Sequence, residues 1–150
     1  MDTAPISSPT ANRRRHVLLA SDLGGSSERA AAEAIELAAD QDAILLVLNV
    51  MGPAGRPHLG RGHSPSDERE RRERHARDIV RRATARGVTA TSVVWHGDPA
   101  EAILEAAWTE RADVVVLGSR KRTDLGRLLL GSVSSHVAAE ARCPVVVVPA

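Results

Sequence analysis

The amino-acid sequence predicts a single α/β domain built on an open, five-stranded parallel sheet with helices on both faces. Three observations carry this prediction. Valine- and leucine-rich runs alternate with segments of helical periodicity, which is the pattern of βαβ units. The chain has 150 residues, enough for one domain with its own core. Glycines follow the strand-like runs, and in sheets of this kind the loops after the carboxyl ends of the strands bind ligands.

The first two predicted strands are His16 to Ser21 and Ala43 to Val50, because both are nearly continuous apolar runs. Between them lies a predicted helix with one apolar face. The residues of that face are Ala30, Ala34, Ile35 and Ala38. The segment from Met51 to Pro65 contains four glycines and three prolines, which predicts a mobile surface loop.

The next predicted helix begins near Ser66 and ends before Gly87, with Asp67 and Glu70 spaced as a capping box. The first half of this helix is nearly all charged, so we expect a solvent-exposed overhang held by i,i+4 ion pairs. The expected pairs are Glu70 with Arg74 and Glu73 with Arg77. Phosphate binding by the arginines of this helix is the less favoured alternative.

The second half of the chain repeats the alternation of strands and helices. Asp98 is a predicted N-cap, followed by proline at the first helical position. This helix should end near Ala112 and pack Trp108 inward, together with Ile103, Leu104 and Ala107. The remaining predicted elements are strands at Val88 to Trp95, Asp113 to Leu117 and Val145 to Val148, and a helix from Ser132 to about Ala141.

Composition argues against several classes of protein. The formal net charge is +1, and Phe and Tyr are absent, so neither a basic field nor aromatic stacking platforms for nucleic acid are expected. Residues 1–14 are predicted to be a disordered tail ahead of a domain at residues 15–150. This tail has no signal-peptide pattern, and no apolar run is long enough to span a membrane. The single cysteine, Cys143, is expected to be a packed thiol, which fits a cytoplasmic protein.

A glycine-containing stretch between the last two strands has the character of an anion-binding loop. Gly118 comes directly after a buried run and allows close backbone approach to a phosphate. Gly131 and Ser132 place amides and a hydroxyl at a predicted helix N-terminus, which favours negative charge. The stretch therefore predicts a nucleotide-binding loop.

The same stretch resembles the universal stress protein family. Nucleotide-binding members of that family have a glycine, two residues, a glycine, nine residues, and then glycine with Ser or Thr. Counted from Gly118, the last glycine and its serine are present, whereas the middle glycine is replaced by Lys121. The resemblance runs from about Arg15 to Ala150, including the segments at 17–22, 97–103 and 143–148. It implies the strand order 3-2-1-4-5, with a ligand crevice between strands one and four.

The resemblance also implies roles for individual residues. Asp22 matches an acidic residue that reads adenine, and Val50 matches a position whose backbone contacts the base. Gly118, Gly131, Ser132 and Val133 match the phosphate and ribose loop. The full predicted site adds Ser21, Leu117 and Lys121 to these six. An Asx turn is the structural alternative for Asp22.

Lys121 is the main departure from the family pattern. If the family glycine has a positive φ, a lysine there is strained by about 1 kcal/mol, and its side chain would crowd a phosphate. Alternatively, Lys121 could hold phosphates through its charge, together with Arg120, Arg122 and Arg127. A basic loop without any ligand is the third alternative.

The expected function is a cytoplasmic, stress-related regulatory module that binds ATP or a related adenine nucleotide without needing to hydrolyse it. The expected cofactor is ATP, either with or without Mg²⁺. A homodimer is expected through the strand from Val145 to Val148, whose unpaired edge would otherwise invite association. The alternatives are a ligand-free dimeric interaction protein and a slow ATPase or phosphotransferase. His58, His63 and His75 are expected at the surface, and His96 and His136 are expected to pack or cap.

Overall fold

The computed structural model of the chain describes residues 13–22, 25–52, 64–119, 121–122, 128–129 and 131–149. The predicted tail up to residue 12 and most of the predicted loop after Met51 lie outside these ranges. The described elements are β1 (His16–Ser21), α1 (Gly25–Gln41), β2 (Ile44–Met51), α2 (Pro65–Ala85), β3 (Ala90–His96), α3 (Pro99–Thr109), β4 (Val114–Ser119), β5 (Lys121–Arg122), β6 (Leu128–Leu129), α4 (Ser132–Glu140) and β7 (Val145–Pro149).

Five of the strands form one parallel sheet in the order β3-β2-β1-β4-β7. β1 is central and pairs with both β2 and β4, with Val17 opposite Leu45 on one side and Val114 on the other. The strand order reverses between β1 and β4. This confirms the predicted order 3-2-1-4-5, in which the fifth strand of the sheet is β7. The carboxyl ends of β1 and β4 therefore lie side by side at the place where such sheets bind ligands.

The sheet is covered on both faces, and each face has its own aliphatic core. On the first face, α1 and α2 contribute Ala34 and Ile79 to a cluster of fully buried side chains. On the second face, α3 and α4 contribute Ile103 and Val137. The predicted inward face of α1 is confirmed, because Ala30, Ala34, Ile35 and Ala38 are all buried. Among the described residues, no helix is both long enough and apolar enough to cross a membrane.

The beginning of α2 differs from the prediction. Its N-cap is Ser64, whose side chain accepts from the Asp67 amide, and the Asp67 carboxylate accepts from the Ser64 amide. The capping box thus lies three residues earlier than predicted, because proline at 65 fits the first helical turn. Among the charged residues, Arg74 and Glu70 approach to 3.9 Å as expected. Glu73 pairs with Arg69 at 3.0 Å, one turn earlier than the predicted Arg77.

Two ion pairs join α2 to α1. Arg82 Nη1 lies 2.8 Å from Glu28 Oε2, and Arg86 Nη2 lies 2.8 Å from Glu36 Oε2. The hydrogen bond from Arg82 lowers the pKa of the Glu28 carboxyl. Because both pairs are exposed to solvent, they are expected to stabilise the fold only slightly.

α3 is capped as predicted but packs differently at its end. The Asp98 side chain accepts from the Glu101 amide at 3.0 Å. Trp108, however, is 64% exposed, and its ring lies 4.4 Å from the guanidinium of Arg142. The prediction that Trp108 packs inward was wrong because it lies about 140° around the helix from the buried Ile103.

The region after β4 contains a short antiparallel pair that the sequence analysis did not predict. β5 pairs with β6, and Lys121 lies opposite Leu129. Strand pairing needs extended backbone, so the strain expected for a lysine with positive φ does not apply at Lys121. The side chains of Lys121 and Arg122, together with Arg120 and Arg127, lie outside the described residues.

Cys143 is half-buried at the edge of the second core cluster. Burial raises the pKa of its thiol, so the thiolate is scarce at neutral pH. The predicted packed thiol agrees with this environment.

Candidate functional site

A crevice of about 410 Å³ opens at the carboxyl ends of β1, β2 and β4 and is bounded by α4. Eight of the nine residues predicted for the site line it. They are Ser21, Asp22, Val50, Leu117, Gly118, Gly131, Ser132 and Val133. The fold therefore brings residues from four separate elements to one cavity, although they span more than 110 positions of the sequence.

The end of β1 is held in place by a chain of hydrogen bonds. The Ser21 hydroxyl lies 2.8 Å from the Ser27 hydroxyl, and Ser27 donates to the Asp22 carbonyl. His75 Nε2, on α2, lies 3.1 Å from Ser21 Oγ. Both serines are buried, so these bonds hold the end of β1, next to Asp22, against α1 and α2.

This contact also corrects the predicted surface location of His75. The residue is partly buried, because it lies four positions before the buried Ile79 on the inner side of α2. His96 and His136, predicted to pack or cap, are both exposed. His58 and His63 lie outside the described residues.

The opposite wall of the crevice is the amino end of α4. Gly131 is the N-cap, with no side-chain cap bond, and its carbonyl accepts from the Ser134 hydroxyl at 3.2 Å. The amides of the first turn of a helix have no partners within the helix. At this end of α4 they lie beside the cavity and can hold an anion, as predicted.

Gly131 is not required by its own backbone conformation. Its φ is −67°, and an added Cβ would lie 3.8 Å from Ser134 Oγ, an ordinary contact. The missing side chain instead leaves open space on the cavity wall.

The third wall contains a polar cluster that the sequence analysis missed. Arg72 lines the cavity and donates from Nη1 to Asn49 Oδ1 at 2.7 Å and to the Val50 carbonyl at 3.3 Å. Its Nε lies 2.9 Å from Glu68 Oε1. The side chains of Arg72 and Glu68 are only 12% and 14% exposed. The expectation of a wholly solvent-exposed first half of α2 was therefore wrong.

Asn49 lies beneath this cluster and is fully buried on β2. Its Nδ2 has no hydrogen-bond partner within the described part of the chain. No three acidic, histidine or cysteine side chains of the described residues come together as a metal site. The described walls therefore offer hydrogen-bond donors, a hydroxyl and the Asp22 carboxylate, a set that suits a polar organic anion.

Comparisons with known proteins agree with this architecture. The sequence profile of the Universal stress protein family matches residues 13–149. The chain is 40% identical over 136 residues to the universal stress protein in the QAH/OAS sulfhydrylase 3′ region of Thermus aquaticus, covering 88% of this chain and 96% of that protein. It is 32% identical over 141 residues to a universal stress protein of Methanocaldococcus jannaschii, covering 91% of this chain and 83% of that protein.

Among solved structures, a universal stress protein in complex with cAMP superposes with a TM-score of 0.69 and 28% identity, covering 89% of this chain and 96% of that chain. The five-stranded order 3-2-1-4-5 is the Rossmann-like, adenine nucleotide alpha-hydrolase-like fold. The profile match covers nearly the whole chain, and the two sequence relatives each cover more than four-fifths of it. The chain therefore belongs to the universal stress protein family.

Proposed function

We propose that this protein is a regulatory module of the stress response that binds ATP or a related adenine nucleotide in the crevice between β1 and β4. The observation that carries the proposal is that Asp22, Val50 and the amino end of α4 line the same cavity. A carboxylate and a strand-end backbone suit a base, and free helix amides suit a phosphate. The relative in complex with cAMP gives further support.

Binding, rather than turnover, is the proposed activity. The described walls supply donors for phosphate oxygens, which is what holding a nucleotide requires. The module would thus respond to nucleotide concentration by occupancy.

Calorimetric titration with AMP and ATP tests the proposal. We expect wild-type protein to bind at sub-millimolar concentration, and Asp22→Ala to weaken binding by about 10- to 100-fold, the usual effect of losing a charged hydrogen bond. Asp40→Ala is the matched control, because Asp40 is exposed near the far end of α1. Absence of binding to wild-type protein at millimolar nucleotide would refute the proposal.

We also expect a homodimer formed through β7. β7 is an edge strand of the sheet, and Val146 on it is 40% exposed. Pairing of two such edges would cover the unpaired backbone groups. In sedimentation equilibrium at micromolar concentration, Val146→Lys should shift the dimer to monomer, whereas Thr91→Lys on the other edge strand, β3, should not. A wild-type monomer would contradict this expectation.

A further inference from the structure

A chain of hydrogen bonds links α2 to the backbone at Asp22, and the direction of these bonds follows from the protons available. The chain runs from His75 Nε2 through the Ser21 and Ser27 hydroxyls to the Asp22 carbonyl. A carbonyl oxygen only accepts, so Ser27 donates its proton to Asp22. Each hydroxyl has a single proton, so the 2.8 Å contact between the two serines requires the proton of Ser21.

His75 is therefore a donor at the beginning of this chain. Because the Ser21 proton is directed at Ser27, Ser21 Oγ accepts from His75 Nε2, which lies 3.1 Å away. If His75 instead accepted the Ser21 proton, the two serine oxygens would be in contact with no proton between them. Nε2 carries a proton both in one neutral tautomer of histidine and in the charged imidazolium. The chain is thus compatible with either protonation state of His75.

The chain ends at a residue of the proposed nucleotide site. Asp22 lines the crevice, and so do Ser21 and Ser27. Both serines are buried, so a hydroxyl that loses its partner is costly to the folded state. His75 is partly buried on α2 and reaches the crevice through Ser21. Its effect on a ligand would therefore pass through the serines to Asp22.

The charged groups near His75 come from α1, from the end of β1 and from α2 itself. They are Glu28 of α1, Asp22 after β1, and Arg71, Arg72, Asp78 and Arg82 of α2. β2 has no charged residue, and β3 has only His96, which is exposed at its end. The hydrogen bond from Arg82 is the main cause that lowers the pKa of the Glu28 carboxyl, and the positive charge of His75 contributes less. Acidic groups on both α1 and the end of β1 allow Nδ1 to take up a proton while Nε2 keeps its bond to Ser21.

We propose that His75 is a positioning residue for the nucleotide, whose Nε2–H group orders the Ser21 and Ser27 hydroxyls and thereby holds Asp22 at the crevice wall. This inference rests on the proposed function, because it concerns how firmly the crevice holds its ligand. Since both protonation states of His75 keep the Nε2 proton, binding should persist across the pH range in which histidines change charge.

Calorimetric titration with cAMP tests the role of this donor, because its phosphodiester keeps one negative charge throughout that pH range. His75→Met and His75→Gln are a matched pair, since the side chains have the same length and only glutamine has N–H groups. We expect His75→Met to weaken binding by about tenfold, the effect of one buried hydrogen bond. His75→Gln should bind at least about threefold more tightly than His75→Met. His136→Met, at an exposed position of α4, is the control and should bind like wild type.

The affinity of wild-type protein for cAMP should change by less than about threefold between about pH 8 and pH 6. Loss of binding at the lower pH would overturn the inference, because Ser21 would then be the donor and Nε2 the acceptor. Wild-type affinity in His75→Met would also overturn it. So would equal affinities of folded His75→Met and His75→Gln, verified by thermal unfolding, because His75 would then act by packing alone.

A ligand-free measurement separates this inference from the proposed function. In the ¹⁵N spectrum of the histidine rings, the neutral form of His75 should carry its proton on Nε2, and this proton should exchange faster with water in Ser21→Ala. A neutral His75 with its proton on Nδ1 would overturn the inference even if the nucleotide binds. If wild-type protein binds neither cAMP nor ATP, the proposed function fails, and the role of His75 in nucleotide binding fails with it.

Discussion

Gly131→Val is expected to abolish most nucleotide binding while leaving the protein folded. The backbone at Gly131 has a φ of −67°, which any residue can adopt, so the substitution introduces no backbone strain. Its branched side chain would instead occupy the cavity wall beside the first amides of α4. Overpacking of this kind costs about 1–3 kcal/mol, and loss of amide contacts adds to it, which gives a loss of affinity of roughly 100-fold.

Calorimetric titration with ATP measures this loss, and circular dichroism verifies the fold. Ser135→Val is the matched control, because it adds a similar side chain to an exposed position on the first turns of α4. Gly131→Ala should give an intermediate affinity, since its single added carbon would lie 3.8 Å from Ser134 Oγ, an ordinary contact distance. Undiminished binding by Gly131→Val would place the nucleotide elsewhere on the protein.

Ile79→Ala is expected to give the largest loss of stability, about 2–5 kcal/mol in the free energy of unfolding. Ile79 is fully buried in the first core cluster, between α2 and the sheet. The substitution removes one buried methylene and two buried methyl groups, and it leaves a cavity that small alanines of the same cluster, such as Ala34 and Ala76, cannot fill. Domains of this size have total stabilities of about 5–15 kcal/mol, so the effect is severe.

Urea denaturation, with an unchanged slope and a lower midpoint, would record this loss. Arg77→Ala, on the exposed side of the same helix, is the control and should change the free energy of unfolding by less than about 0.5 kcal/mol. A loss below about 1 kcal/mol for Ile79→Ala would contradict the packing of α2 on the sheet described above.

Strands and helices were predictable from the sequence where residues close together in the chain determine the local structure. Continuous apolar runs predicted β1 and β7 closely, and Asp98 with Pro99 predicted the beginning of α3. The convergence of Asp22 and Gly118 followed from the strand order, which the family resemblance supplied. Periodicity alone does not determine that order.

Arg72 and His75 were not predictable in the same way. Both lie in a charged segment, and charge density along a helix normally indicates exposure to solvent. Their burial depends on Asn49 and Ser21, residues 23 and 54 positions away in the sequence. The one available signal was the i,i+3 and i,i+7 spacing of His75 and Ile79 from Arg72, which places all three on the inner side of α2.

The helices of this protein differ in how their amino ends are completed. Ser64 and Asp98 cap α2 and α3 with their own side chains, whereas the N-cap of α4 makes no such bond. In the proposed complex, a phosphate oxygen would accept hydrogen bonds from the first amides of α4, in place of the missing side-chain cap. The ligand would then complete the amino end of the helix. Fraying of α4 and release of the nucleotide would then be thermodynamically linked. The amino end of α4 would be frayed for a smaller fraction of the time as the nucleotide concentration rises.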